Sequence, residues 1–139
     1  MATRSTIGLL ESDGTVGYIY CHFDGYPEHV GRILVKHYRD LEMVNKLLGL
    51  GDLSILGAEI GEKQDFDDRS TQNPEWCLAY GRDRGEKNRA MTKLSNIDAY
   101  LSEDRGQNYS YLFMDKVWHV FNRGTWMPVD IVLDAAKAV

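Results

Sequence analysis

The stretch Ser5–Phe23, STIGLLESDGTVGYIYCHF, decides the fold. Two strand-like runs, 4–11 and 16–23, flank Ser12-Asp13-Gly14-Thr15. Asp-Gly between apolar runs predicts a hairpin with a type I′ turn, whose two central residues both need positive φ. Side chains alternate across a strand, so Ser5, Ile7 and Leu9 share one face of the first run. In the second run Ile19, Cys21 and Phe23 share one face, and Tyr18, Tyr20 and His22 share the other.

Downstream the period changes from two to that of a helix. Val30, Ile33, Leu34 and His37 fall at helical spacing after Pro27, which suits a first helical turn because its missing N–H costs nothing there. Asp40 reads as the N-cap of a second helix with Leu41, Val44, Leu47 and Leu48 inward, ended by Gly49 and Gly51. Asp52 to Gly57 reads as one more short helical turn. Residues 58–75 are polar and acid-rich, which predicts an exposed loop. Trp76 to Tyr80 is strand-like, followed by a charged turn through Arg89 and a short strand at 90–93. Ser95-Asn96-Ile97-Asp98 resembles a capping box and opens a helix to about 103. Tyr109–Met114 and Val117–Phe121 predict a second hairpin across Asp115-Lys116. A turn at 122–124, a possible short strand at Trp126 and a helix over 129–138 finish the chain.

Tight turns between neighbouring strands imply antiparallel pairing. The expectation is therefore one α+β domain over residues 1–139. It has an antiparallel sheet of about five or six strands and helices packed mainly on one face.

Composition sets limits. The chain has 139 residues, 43% apolar and 27% charged, which suits one globular core and excludes wholesale disorder. The net charge of −5 argues against a protein built to coat nucleic acid. No apolar run approaches the roughly 18 residues of a membrane span, and the opening residues lack an apolar signal core, so cytoplasmic residence is expected. Cys21 and Cys77 stand alone in strand-like runs and read as small core residues, without the CxxC spacing of a structural zinc site.

Candidate chemistry concentrates in Tyr18–Arg32, with three tyrosines and two of the four histidines in fifteen residues. Tyr18, Tyr20 and His22 share a strand face. Asp24-Gly25 turns the chain, with Gly25 expected at positive φ and Asp24 or Tyr26 at the N-cap of the helix that follows. His29 and Arg32 lie in its first turns. Free N–H groups at a helix N-terminus attract anions, so the block suits a nucleotide-type ligand, base on Tyr and phosphate at the helix. The structural alternative stands beside it: Asp24 as a cap, Gly25 as a turn residue, the tyrosines packed under a loop. His22, Asp24 and His29 match no common closed metal site, and no cofactor is implied. Cys21 and His22 point to opposite faces and make no nucleophile pair. His37 reads as a buried or boundary histidine, and His119 as lying among the aromatic strands.

A second block, 82–93, has five basic and two acidic residues. It reads either as a solvated face or, through Arg82 and Arg84, as a second contact to phosphate or an acidic partner.

The strings Thr3-Arg4-Ser5-Thr6-Ile7, Tyr20-Cys-His-Phe-Asp-Gly-Tyr-Pro27 with Val30-Gly31, and Tyr80-Gly-Arg-Asp-Arg-Gly-Glu86 resemble small uncharacterised proteins of tailed phages and prophages, as does the aromatic hairpin before Trp126-Met-Pro128. The resemblance implies a setting and no catalytic residue. Small non-virion phage proteins often act on host immunity, which makes this an associational expectation. Two classes follow. The protein binds, capturing a nucleotide-type immune signal or inhibiting a host defence protein such as a CRISPR effector; or it is a small enzyme acting on such a target. With no recognisable nucleophile–base pair or metal set, the residues favour binding. Homo-oligomerisation stays open.

Overall fold

A computed structural model describes residues 2–122 and 124–137. The hairpin at its centre pairs β1 (Ser5–Leu10) with β2 (Val16–Cys21), antiparallel, Ile7 opposite Ile19. Its turn differs from the expected type I′. Of the two residues, only Gly14 has positive φ, and the Gly14 N–H donates to the Glu11 carbonyl at 2.9 Å. This is a type I turn closed by a glycine bulge. Asp13 holds it by accepting from the Thr15 N–H and hydroxyl.

After β2, Pro27–Gly31 forms a single π-helical turn that runs into α1 (Arg32–His37). Next come α2 (Leu41–Gly49), β3 (Leu53–Ile55), β4 (Leu78–Ala79), α3 (Tyr80–Arg84), β5 (Thr92–Leu94) and α4 (Ile97–Leu101). The chain then forms β6 (Tyr109–Met114), β7 (Val117–Asn122), β8 (Thr125–Pro128) and α5 (Val129–Lys137). Asp40 caps α2 as expected, its carboxylate accepting from the Met43 N–H at 2.9 Å. The cap of α4 is Asn96 rather than Ser95. Residues 53–55 are a strand, not a helical turn, and Tyr80 opens α3 instead of extending β4.

The fold is α+β, with one eight-stranded sheet ordered β4-β3-β2-β1-β6-β7-β8 and β5 on the free part of the β2 edge. The sheet is mixed, where antiparallel pairing throughout was expected. β1 runs parallel to β6, and β2 touches β3 in parallel at Cys21 and Leu53. The two hairpins are each antiparallel; the sheet becomes mixed where they join.

One face carries Ile7, Leu9, Ile19, Cys21, Tyr111, Phe113, Trp118 and Val120 against Val30, Leu34, Val44, Leu47, Leu48, Val129 and Leu133. The other face packs Val16, Tyr18 and Leu112 under Tyr100, with Trp126 alongside. Helices α1, α2 and α5 therefore cover one face, and α4 the other. Leu41 is exposed rather than inward. His37 is also exposed; its neighbour Tyr38 takes the buried place, donating its hydroxyl to the Gly57 carbonyl at 2.8 Å and accepting the Trp118 indole N–H at its own carbonyl. Among the described residues no helix is long and apolar enough to cross a membrane.

Candidate functional site: a cationic cleft beside the first helix

The residues singled out in the sequence are dealt to different places. Tyr18 and Tyr20 do share a face with His22, but the two tyrosine rings are covered. Tyr18 and Tyr20 are both buried. The Tyr18 hydroxyl donates to Glu103 at 2.7 Å, and the Tyr20 hydroxyl lies 2.7 Å from His22 Nδ1. The Arg105 guanidinium sits 5.1 Å from the centre of the Tyr20 ring and pairs with Asp52 at 3.0 Å. A base cannot stack where arginine already lies.

The turn after β2 also departs from expectation. Asp24, not Gly25, has positive φ, at 56°. Gly25 is needed for close approach instead: a Cβ there would come within 2.8 Å of the Ser5 side chain, and its N–H donates to the Thr3 carbonyl. Tyr26 is at the N-cap position as expected, but makes no side-chain cap bond. The π-helical first turn puts the Val30 N–H on the Asp24 carbonyl at 3.3 Å. This takes one of the free donors on which the anion-site argument rested, and that argument falls with the Gly25 geometry. His29 is half-buried beside Tyr26, with ring centres 6.2 Å apart.

Arg82 and Arg84 are occupied elsewhere. Arg82 pairs with buried Asp83 and donates to the carbonyls of Ile60 and Cys77, both at 2.7 Å, so it fastens the acidic loop to β4. Arg84 reaches Glu86 and lies over Phe66. Cys21 and Cys77 are buried and unbridged. Burial pushes the Cys21 thiol up to about 12, which suits an inert core residue.

Arg32 alone among the sequence candidates lines a sizeable cavity. A cleft of about 590 Å³ opens between α1, the β6–β7 hairpin and α5. Phe113 and Trp118 form its floor, their rings 5.1 Å apart, with Val35, Val117 and Leu133 as apolar walls. Arg32, Lys36 and Arg39 follow one another at intervals of four and three along one side of α1 and just beyond it, the spacing that stacks side chains on one helical face. Lys116 enters from the β6–β7 turn, where both Asp115 and Lys116 have positive φ. That is the type I′ geometry, here with lysine at a position that usually takes glycine. Facing these cations across the cleft, Asp130 and Asp134 lie one turn apart on α5.

The four cations and two carboxylates do not neutralise each other. Among the described residues none of the six takes part in an ion pair within 4.0 Å; the pairs formed involve Glu42, Asp83, Glu86, Asp52 and Glu11. The cleft is therefore polarised, with a positive wall along α1, a negative wall along α5 and an aromatic floor between. A volume of this size falls in the ordinary range of small-ligand sites.

Sequence reading missed Lys36, Arg39, Lys116, Asp130 and Asp134. The 32, 36, 39 spacing was a readable sign of a basic stripe. The rest depends on α5 and the β6–β7 turn coming to α1, which no local pattern encodes. Among the described residues no three His, Cys, Asp or Glu side chains gather as a metal set. Comparison with protein-family models, curated proteins and solved structures found no match.

Proposed function

We propose that the protein is a binding protein for a small nucleotide-type ligand held in the cleft between α1, the β6–β7 hairpin and α5. The observation that carries this reading is the set of four cationic side chains opposite two carboxylates in one concave site, none of them in an ion pair among the described residues. Phosphate oxygens suit the Arg32, Lys36, Arg39 and Lys116 wall, because guanidinium forks and ammonium groups give charge-assisted hydrogen bonds. Asp130 and Asp134 accept hydrogen bonds only when ionised, so they suit ribose hydroxyls or the amino group of a base. A purely anionic ligand would meet repulsion from α5; a nucleotide offers the donors that wall accepts.

In the phage setting that the resemblance implies, such a protein sequesters a nucleotide-type immune signal and returns it unchanged. The test is a thermal-shift and calorimetric panel of cyclic dinucleotides, cyclic oligonucleotides and ADP-ribose-type compounds, followed by chromatography of the ligand released on denaturation. A ligand at a hundred times its dissociation constant stabilises the native state by about 2.7 kcal/mol. One compound should do so and be recovered intact. Recovery of a cleaved product would make the protein an enzyme. A silent panel, with a host defence protein co-purifying instead, would replace the nucleotide reading with direct inhibition.

A further inference from the structure

We propose a second anion site on the opposite face of the sheet, where Arg4, His22 and Arg89 surround Tyr20 and take a single phosphate-type oxyanion. The register of the β1–β2 pair places Ser5 opposite Cys21, and its continuation puts Arg4 opposite His22. Asp52 lies beneath, buried, immediately before β3. One of its oxygens accepts the Tyr20 N–H at 2.9 Å. The other serves two guanidiniums, Arg105 at 3.0 Å and Arg89 at 3.4 Å.

That arrangement leaves a surplus of positive charge and an orphan donor. Arg89 is within ion-pair distance of Asp52 but too poorly aligned to hydrogen-bond, so its Nε is buried with no partner. Its guanidinium plane is fixed against the Tyr80 ring, 4.2 Å from the ring centre. Buried polar atoms in native proteins almost always have partners, and an exception calls for an explanation such as a bound ion. Arg4 adds a third positive charge and makes no ion pair among the described residues. The nearby acids are committed: Glu103 accepts from Tyr18, and Glu86 pairs with Arg84.

His22 completes the ring of donors. Its Nδ1 is held by the Tyr20 hydroxyl at 2.7 Å. With Tyr20 donating, the imidazole carries its proton on Nε2. Burial, then the fields of Arg4 and Arg89, hold its pKa below the ordinary histidine value. A bound anion would offset those two fields, so His22 is a built-in reporter of occupancy.

The experiment follows the four histidines by proton NMR across pH, in phosphate and in chloride at matched ionic strength. Phosphate should raise the His22 pKa by about one unit, with His119 as the unmoved reference. The response should persist when Lys36 and Arg39 are both replaced by alanine, which separates this site from the α1 cleft. Arg4→Gln, at an exposed position, should abolish most of the response without loss of fold, and Arg89→Gln should do the same. An unmoved His22, a common shift of all four histidines, or a full response in Arg4→Gln would each overturn the proposal.

Discussion

Asp52 is the residue on which the tyrosine face depends. Its carboxylate, 4% exposed, orders the backbone of β2 and anchors Arg89 and Arg105. Removing its charge leaves two guanidiniums side by side without a counter-ion. Because both arginines are about a quarter exposed, solvent softens the loss, and Asp52→Asn should cost about 2 kcal/mol in urea unfolding. A change inside experimental error would mean that the cluster is held by packing alone. Cys21 gives a second residue-scale test. The thiol is neutral in the folded state up to about 12 but ionises near the ordinary thiol value of 9.0 when unfolded. The stability due to keeping it neutral is thus complete below pH 9 and is lost as pH rises from there towards 12. The slope from this one group approaches 1.4 kcal/mol per pH unit. Cys21→Ala should flatten the measured fall in unfolding free energy above pH 9, and an unchanged slope would contradict the burial of that thiol.

At the scale of elements, the inward face of α1 and the junction after α2 are the most exposed to single changes. Leu34 is fully buried against the sheet, so Leu34→Ala should cost on the order of 2–5 kcal/mol. Gly51 has φ of +76°, and a Cβ there would come within 2.2 Å of the Arg89 carbonyl oxygen. Gly51→Ala therefore combines left-handed strain with a backbone clash, and should destabilise by more than the 1–3 kcal/mol of strain alone. Chemical unfolding checks both. The elements that were legible in the sequence are those with local causes. Asp40 could be read as a cap because the bond it makes lies three residues away. The β6–β7 hairpin could be read because its apolar runs abut a two-residue turn. β3 could not: Leu53-Ser54-Ile55 is too short for a period, and it is a strand only because the end of β2 and β4 flank it. Likewise the shift of positive φ from Gly25 to Asp24 follows from the docking of Gly25 on β1, a tertiary contact invisible in a turn motif.

At the scale of the whole molecule, the parallel junction of β1 with β6 is what makes the site. It places the second hairpin, and behind it α5, beside β1 of the first hairpin, whose other strand leads into α1, so that Lys116, Asp130 and Asp134 meet Arg32 and Lys36. The sequence pointed to an aromatic and basic surface, and the fold divided it in two. Tyrosines and His22 went to one face of the sheet, Arg32 to the other, and the cleft was finished by residues from the far end of the chain. Arg39 and Lys36 should each contribute charge-assisted bonds worth roughly 1.5–3 kcal/mol, so either alanine variant should weaken ligand binding about tenfold or more, with little change in fold. Added salt should weaken binding further, since these groups are exposed and screened.

The tryptophans make the most direct measurement available, because Trp118 lies on the floor of the cleft and Trp126 on the other side of the sheet. In a heteronuclear NMR titration with the nucleotide selected by the thermal-shift panel, the Trp118 indole N–H and the backbone amides of Val35 to Arg39 should move in step with binding, while the Trp126 indole stays in place. Movement of Trp126 and of the Tyr20 and His22 amides, with Trp118 silent, would contradict a ligand site beside α1.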